Sequence, residues 1–245
     1  MFLCRTKTIL KSPAFWRDFF YSDIWIYLHY AQLSAMKNLA IIILVCFYSL
    51  ATKAQAPRVV GDCTVTYSLG FEGGKNAGEP MAGAVKTFYV RGKQARVDLI
   101  SSGFTQSVIY DNVTGDAVIL KEVGNNKYMT KLNQAKWKEE NKQYDGMDIN
   151  LTGESKNILG YDCKKALIKL KNGKTYSLYY TTAIIPSATE NPYQFKNIPG
   201  FVLEYETISQ TSDQKITFSA TKINVSPVPL SKFEIPKSGY RILEN

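Results

Sequence analysis

The chain has 245 residues, 30 Lys and Arg against 21 Asp and Glu, a formal net charge of +9 and one histidine, His29. From Pro57 onward the balance is 24 to 19, the net charge is +5 and no histidine remains. That part of the chain therefore excludes Ser-His-Asp and Cys-His nucleophile systems, His metal sites and imidazole acid–base catalysis. Its lysines are also too scattered for the basic stripe with stacking aromatics that nucleic acid requires.

In chain order, residues 1–35 are crowded with aromatics and carry no turn chemistry linking them to the rest of the chain. They read as a mis-assigned start, or as an extension. Met36 then opens "MKNLAIIILVCFYSLATKAQA". Lys37 gives a positive start, Leu39 to Leu50 an apolar run, and Ala54-Gln55-Ala56 the small-x-small pattern of a signal cleavage site. The run is short for a spanning helix, which needs about 20 residues. Cys46 is preceded by the bulky Leu44 and Val45, unlike a lipidation site, where small residues are needed. The expectation is a signal peptide over 36–56, a periplasmic or secreted mature chain over 57–245, and no integral membrane span in it.

Those 189 residues suit one domain with a full core. "CTVTYSLGF" alternates as a strand from Cys63, and a Gly-rich loop follows over 72–83. Two strands flank Gly92-Lys93, and a hairpin turns at Asn112 to Gly115. The strand "NKYMTKL" leads to "NQAKWKEENKQYDG", the one helix-favouring stretch, with Trp137 in it and Gly146 at its end. Asn172-Gly173 is a strong hairpin signal. "FVLEYETIS" and "KITFSATKINV" form another pair, and "VSPVPLSKFEIP" reads as an extended, proline-broken edge. The pattern predicts a mainly antiparallel β fold of about 9–11 strands with one or two short helices.

Little chemistry is written on these elements. Gly173-Lys174-Thr175 lacks the glycine a phosphate loop needs five residues earlier, where Ile168 stands. Glu204 and Glu206 share one face of a strand, loosely matching the spacing of a carboxylate pair, and so does any alternating half-buried strand. Asp145 to Asn150 lacks the full ligand series and terminal Glu of a calcium loop. Asn112, Asn150 and Asn224 match the glycosylation triplet by chance frequency. No catalytic residue, metal site or cofactor is therefore assigned. Cys63 and Cys163 remain after signal removal, and an oxidising compartment favours a bridge between them over two buried thiols.

Two segments carry a resemblance. Gly160-Tyr161-Asp162-Cys163-Lys164-Lys165-Ala166 matches a Gly-Tyr-x-Cys-x-x-Ala element, and Asn197-Ile198-Pro199-Gly200-Phe201-Val202 matches a Gly-Leu-Pro-Gly-Leu-Ile turn-strand, with Asn197 where the glycine would stand. The chain thus resembles a secreted Bacteroidota family of unknown function, similar to the GLPGLI family. The resemblance implies a curved, open half-barrel like that of the LolA and LppX lipoprotein carriers, whose concave face holds acyl chains. The implied function is a non-enzymatic binding protein of the bacterial envelope, holding a lipid, a lipoprotein acyl chain or another apolar ligand. The alternatives are an envelope module that docks a protein partner and a carboxylate-based hydrolase. Phe195, Phe201, Leu203 and Tyr205 are the candidate ligand contacts. Whether Phe195 and Phe201 line a cleft or seal the core stays open. Pro199-Gly200 is read as a type II-like turn with Gly200 supplying a positive φ.

Overall fold

The computed structural model describes residues 32, 57–71, 81, 83–208 and 215–243. The expected signal peptide and the 1–35 extension lie outside these residues, apart from Gln32, as does most of the Gly-rich loop. The chain divides into two units, residues 1–54 and 55–245, and the second carries the architecture.

It is mainly antiparallel β, a large curved sheet that stays open instead of closing into a barrel. Among the described residues the strands are β1 (Arg58–Val60), β2 (Asp62–Phe71), β3 (Val85–Arg91), β4 (Gln94–Ile100), β5 (Phe104–Asp111), β6 (Ala117–Val123), β7 (Asn126–Leu132), β8 (Asp148–Ile158), β9 (Tyr161–Lys169), β10 (Thr175–Thr181), β11 (Ile184–Pro186), β12 (Phe201–Ile208), β13 (Lys215–Asn224) and β14 (Arg241–Leu243). Twelve of them form one sheet in the order β14-β7-β6-β5-β4-β3-β2-β13-β12-β10-β9-β8, while β1 and β11 pair separately and in parallel. The long strands fall where alternation and turn glycines place them. The count exceeds the predicted range because β8 and the short β1, β11 and β14 carry no apolar alternation to announce them.

Alternation then sorts each strand's residues to two faces. The inner face carries the main core, built from Cys63, Val65 and Tyr67 of β2, Phe88 and Val90 of β3, Ala166 and Ile168 of β9, Leu178 of β10, and Leu203 and Tyr205 of β12. Helix α1 (Gln134–Glu140) covers one end of it. Asn133 caps the helix by accepting from the Lys136 N–H at 3.0 Å, and Trp137 lies 6.3 Å from Tyr110, centroid to centroid. The helix stops earlier than predicted, because the Asn141 side chain turns back to donate to the Trp137 carbonyl at 2.9 Å. On the outer face a smaller cluster of Ile109, Val118, Leu120 and Met129 packs under Tyr240. The C-terminal segment expected as an extended edge is instead a strap over this face, with a 3-10 turn at Leu230–Phe233. Arg96 holds it by donating to the Lys232 carbonyl at 2.7 Å, and only Arg241–Leu243 joins the sheet.

Two expectations are corrected. Cys63 and Cys163 are separate, free, buried thiols, not a disulfide. Strands β13, β12 and β10 stand between β2 and β9. Four strand spacings amount to about 19 Å along the sheet, against Cα separations of about 4.4–6.8 Å in a bridge. The Pro199-Gly200 pair is also not where the positive φ sits. Asn197 has φ 65°, in a turn closed by the Ile198 N–H donating to the Phe195 carbonyl at 3.2 Å. That is the third turn position, where type II geometry demands positive φ and asparagine tolerates it. Gly200 is required for space: a Cβ there would stand 2.9 Å from the Thr181 carbonyl carbon and closer still to its oxygen.

Accordingly, Gly200→Ala should destabilise the fold by about 1–3 kcal/mol, the range for overpacking against backbone, while Asn197→Gly should be neutral. Urea denaturation of both variants checks the order, and a larger loss for Asn197→Gly would contradict it. A second expectation concerns alkaline pH. Burial pushes the Cys63 thiol up to about 12 and the Cys163 thiol up to about 11. Burial likewise pushes the Tyr144 phenol up to about 12, and those of Tyr67 and Tyr205 well above their ordinary value. Unfolded, these groups lose protons near 9 and 10, so above those values the unfolded chain binds fewer protons than the folded one. Stability should therefore fall with rising pH, by about 1.4 kcal/mol per pH unit for each group that stays protonated. Melting followed by circular dichroism from about pH 8 to about pH 11 reads this, and a flat melting temperature would refute it.

Candidate functional site

Strand β3 places Lys86 in phase with Phe88 and Val90, on the inner face. The lysine is 5% exposed. An ammonium in such a place requires a counter-charge, and the sheet supplies none. Glu190 does, from the loop over 187–200, which runs between β11 and β12. Its Oε1 lies 2.6 Å from Lys86 Nζ, with both side chains 7% exposed. Lys86 also donates to the Tyr205 hydroxyl. Three rings surround the ammonium: Tyr205 at 4.6 Å, Phe218 at 5.0 Å and Tyr67 at 5.1 Å from their centroids. The negative faces of aromatic rings stabilise a cation at such distances.

The rings fix one another. Tyr205 stacks on Phe218 at 4.8 Å and meets Phe195 edge-on at 5.1 Å, while the Tyr67 hydroxyl donates to the Val202 carbonyl at 3.0 Å. The loop is tied down at its other side by Asn191, which donates to Asn141 at the end of α1 at 2.9 Å. Desolvation lowers the Lys86 amine below its ordinary range, and the charge of Glu190 opposes that shift. Burial, with the charge of Glu190 added, raises the Tyr67 and Tyr205 phenols.

Beside this cluster lies a cavity of about 240 Å³, lined by β11, the loop and the start of β12. Its walls include Ala188, Glu190, Phe195, Ile198, Phe201 and Val202. Of the four residues singled out as ligand contacts, Phe195 and Phe201 line it. Leu203 and Tyr205 lie in the core instead, 0% and 5% exposed. Phe201 also packs on Phe88 at 6.2 Å, so it both walls the cavity and closes the core. Pro199 is exposed at the turn, and Gly200 sits in the cavity wall. Lys86 and Glu190 escaped the sequence reading. A lysine at an inward position of an alternating strand was a signal for the first, whereas nothing local marks Glu190.

The other candidates are absorbed by structure. Glu204 accepts from Lys156 and, at 3.0 Å, from Ser219. Glu206 accepts from the Ser177 N–H at 2.8 Å and stands 3.5 Å from Lys215. Both carboxylates therefore serve as strand-to-strand ties and do not form an open pair. Asp148 begins β8. Among the described residues no group of three or more His, Cys, Asp or Glu is arranged to hold a metal ion.

The comparisons with known proteins are distant. No curated protein matches the chain. Among solved structures the chain is similar to PNGF-II, with 17% identity and a TM-score of 0.45 over 75% of this chain and 31% of that one. It is similar to MucB, with 11% identity and a TM-score of 0.40 over 75% and 60%. It is also similar to an uncharacterised conserved protein from Thermus thermophilus, with 8% identity and a TM-score of 0.36 over 74% and 89%. The chain thus spans about a third of PNGF-II and three fifths of MucB. Within it, residues 77–197 match the family model of a domain of unknown function, DUF4412.

Proposed function

We infer that this is an exported binding protein of the bacterial envelope that holds a small apolar ligand in the cavity beneath the 187–200 loop. The observation that carries the reading is the cavity itself: about 240 Å³ walled mainly by Ala188, Phe195, Ile198, Phe201 and Val202, with the buried Glu190 as its charged group. Small-ligand sites are built this way, apolar walls with few polar groups. An acyl chain is the ligand class that the LolA-like reading favours. Support for the GLPGLI resemblance comes from its turn: Asn197 occupies a left-handed position that glycine would fill freely, and Gly200 occupies one with no room for a side chain. Export rests on the signal-like stretch from Met36 to Ala56. No helix among the described residues is long and apolar enough to cross a membrane. The alternative, docking of a protein partner, is favoured by β8, an eleven-residue strand at the edge of the sheet with Leu151 51% exposed, since an unpaired edge can take an added strand.

Two measurements test the reading. N-terminal sequencing of the secreted protein should begin between Gln55 and Pro57, and an intact Met1 would refute export. The protein should bind the neutral fluorophore N-phenyl-1-naphthylamine. Ile198→Trp, which fills the cavity from a half-buried wall, should weaken that binding about tenfold, roughly 1.4 kcal/mol. Absence of binding, or binding unchanged by Ile198→Trp, would overturn the ligand site.

A further inference from the structure

Five of the thirteen large apolar side chains that stay exposed among the described residues fall within 225–243, in the C-terminal strap and β14. Apolar residues scattered singly over a surface are ordinary, but a cluster beside polar groups marks an interaction site. The fold does not use these side chains. Val228 and Phe233, 2% and 5% exposed, turn into the molecule, and Tyr240 packs on the outer cluster. Leu230, Ile235 and Ile242 are left 57%, 42% and 60% exposed. Ile242 stands in register with Met129, which places it on the outer face. Ile235 meets it there across a groove of about 400 Å³, whose walls also include Met129, Tyr240, Lys131 and Lys237.

The free charges beside this apolar surface are positive. Lys131 and Lys237 are exposed, and neither has an ion-pair partner among the described residues. Glu122, on the same face, is already held by Tyr240 and Lys127. Residues 225–243 themselves carry Lys232, Lys237 and Arg241 against Glu234. A neutral apolar partner would desolvate two ammonium groups with nothing to pair them. A purely acidic partner would leave Ile235 and Ile242 in water. An anionic lipid surface meets both needs, since protruding apolar side chains enter the acyl boundary while cations meet the head groups. We propose that this face docks the protein on an anionic lipid surface, with Ile235 and Ile242 in the interface and Lys131 and Lys237 on lipid phosphates. The docking face lies across the sheet from the 187–200 loop, so it stands or falls independently of the ligand cavity.

The test is sedimentation of the secreted protein with vesicles of phosphatidylcholine, alone or mixed with phosphatidylglycerol. The protein should bind the mixed vesicles, and added salt should weaken that binding. Lys131→Gln with Lys237→Gln should weaken it about thirtyfold, the weight of two basic side chains at an anionic surface. Ile235→Ser with Ile242→Ser should weaken it roughly tenfold and leave the salt dependence in place. All four positions are exposed, so neither variant threatens the fold. Lys169→Gln with Lys171→Gln removes the same charge near the other end of the sheet order, and should change binding little. If the protein ignores both kinds of vesicle or binds them equally, the docking face is refuted. It is refuted too if the Lys169 and Lys171 pair matters as much as Lys131 and Lys237, or if the two Ile→Ser changes have no effect. None of these outcomes touches the binding of N-phenyl-1-naphthylamine, which tests the cavity alone.

Discussion

A lysine on the inner face of a sheet has to be neutralised where it lies, because the strands around Lys86 offer only rings and aliphatic side chains. The required carboxylate comes from 104 residues further along, on a loop that belongs to no strand. The ion pair therefore does more than compensate a charge. With the Asn191–Asn141 hydrogen bond it holds the 187–200 loop over the sheet, and with the loop Phe195, Ile198 and the cavity wall. Removing one partner of a buried pair is expected to cost about 3–5 kcal/mol, whereas replacing both by apolar groups is often neutral. The pair thus dictates geometry more than it adds stability.

The return of the loop into β12 shows the same economy of space. Asn197 reverses the chain in a left-handed conformation, and Gly200 then slides against the Thr181 carbonyl at the end of β10. With that approach made, β12 divides its residues cleanly. Leu203 and Tyr205 face the core, while Glu204 and Glu206 face outward to Lys156, Ser177, Ser219 and Lys215. One strand so carries the floor of the aromatic cage on one side and the sheet's ionic ties on the other. The outer face is closed separately, by the C-terminal strap that Arg96 and Tyr240 hold down.

How much of this was legible depends on where the signals lie. The long strands could be read because burial on one face imposes a period of two, and because Gly92, Gly115 and Gly173 mark turns with positive φ. Strand β8 was not, since most of its residues are exposed and polar residues leave no period. The C-terminal strap misled because prolines suit both an edge strand and an irregular cover. Of the residues around the cavity, Phe195 and Phe201 were singled out through their turn, and Lys86 could have been, as a charge at an inward position. Glu190 could not: it sits in a loop without pattern, and its role exists only through a partner in another strand.

The sequence by itself determined the fold class, the order of its hairpins and the absence of histidine chemistry beyond Pro57. These are local properties, fixed by alternation, turn residues and composition. The tertiary structure alone decided that Cys63 and Cys163 remain apart, that Glu204 and Glu206 are ties, and that Lys86, Glu190, Tyr67, Tyr205 and Phe218 meet beside a cavity. Those outcomes depend on which strands become neighbours and on where a loop settles, and both are set by the burial of charge and apolar surface over the whole chain.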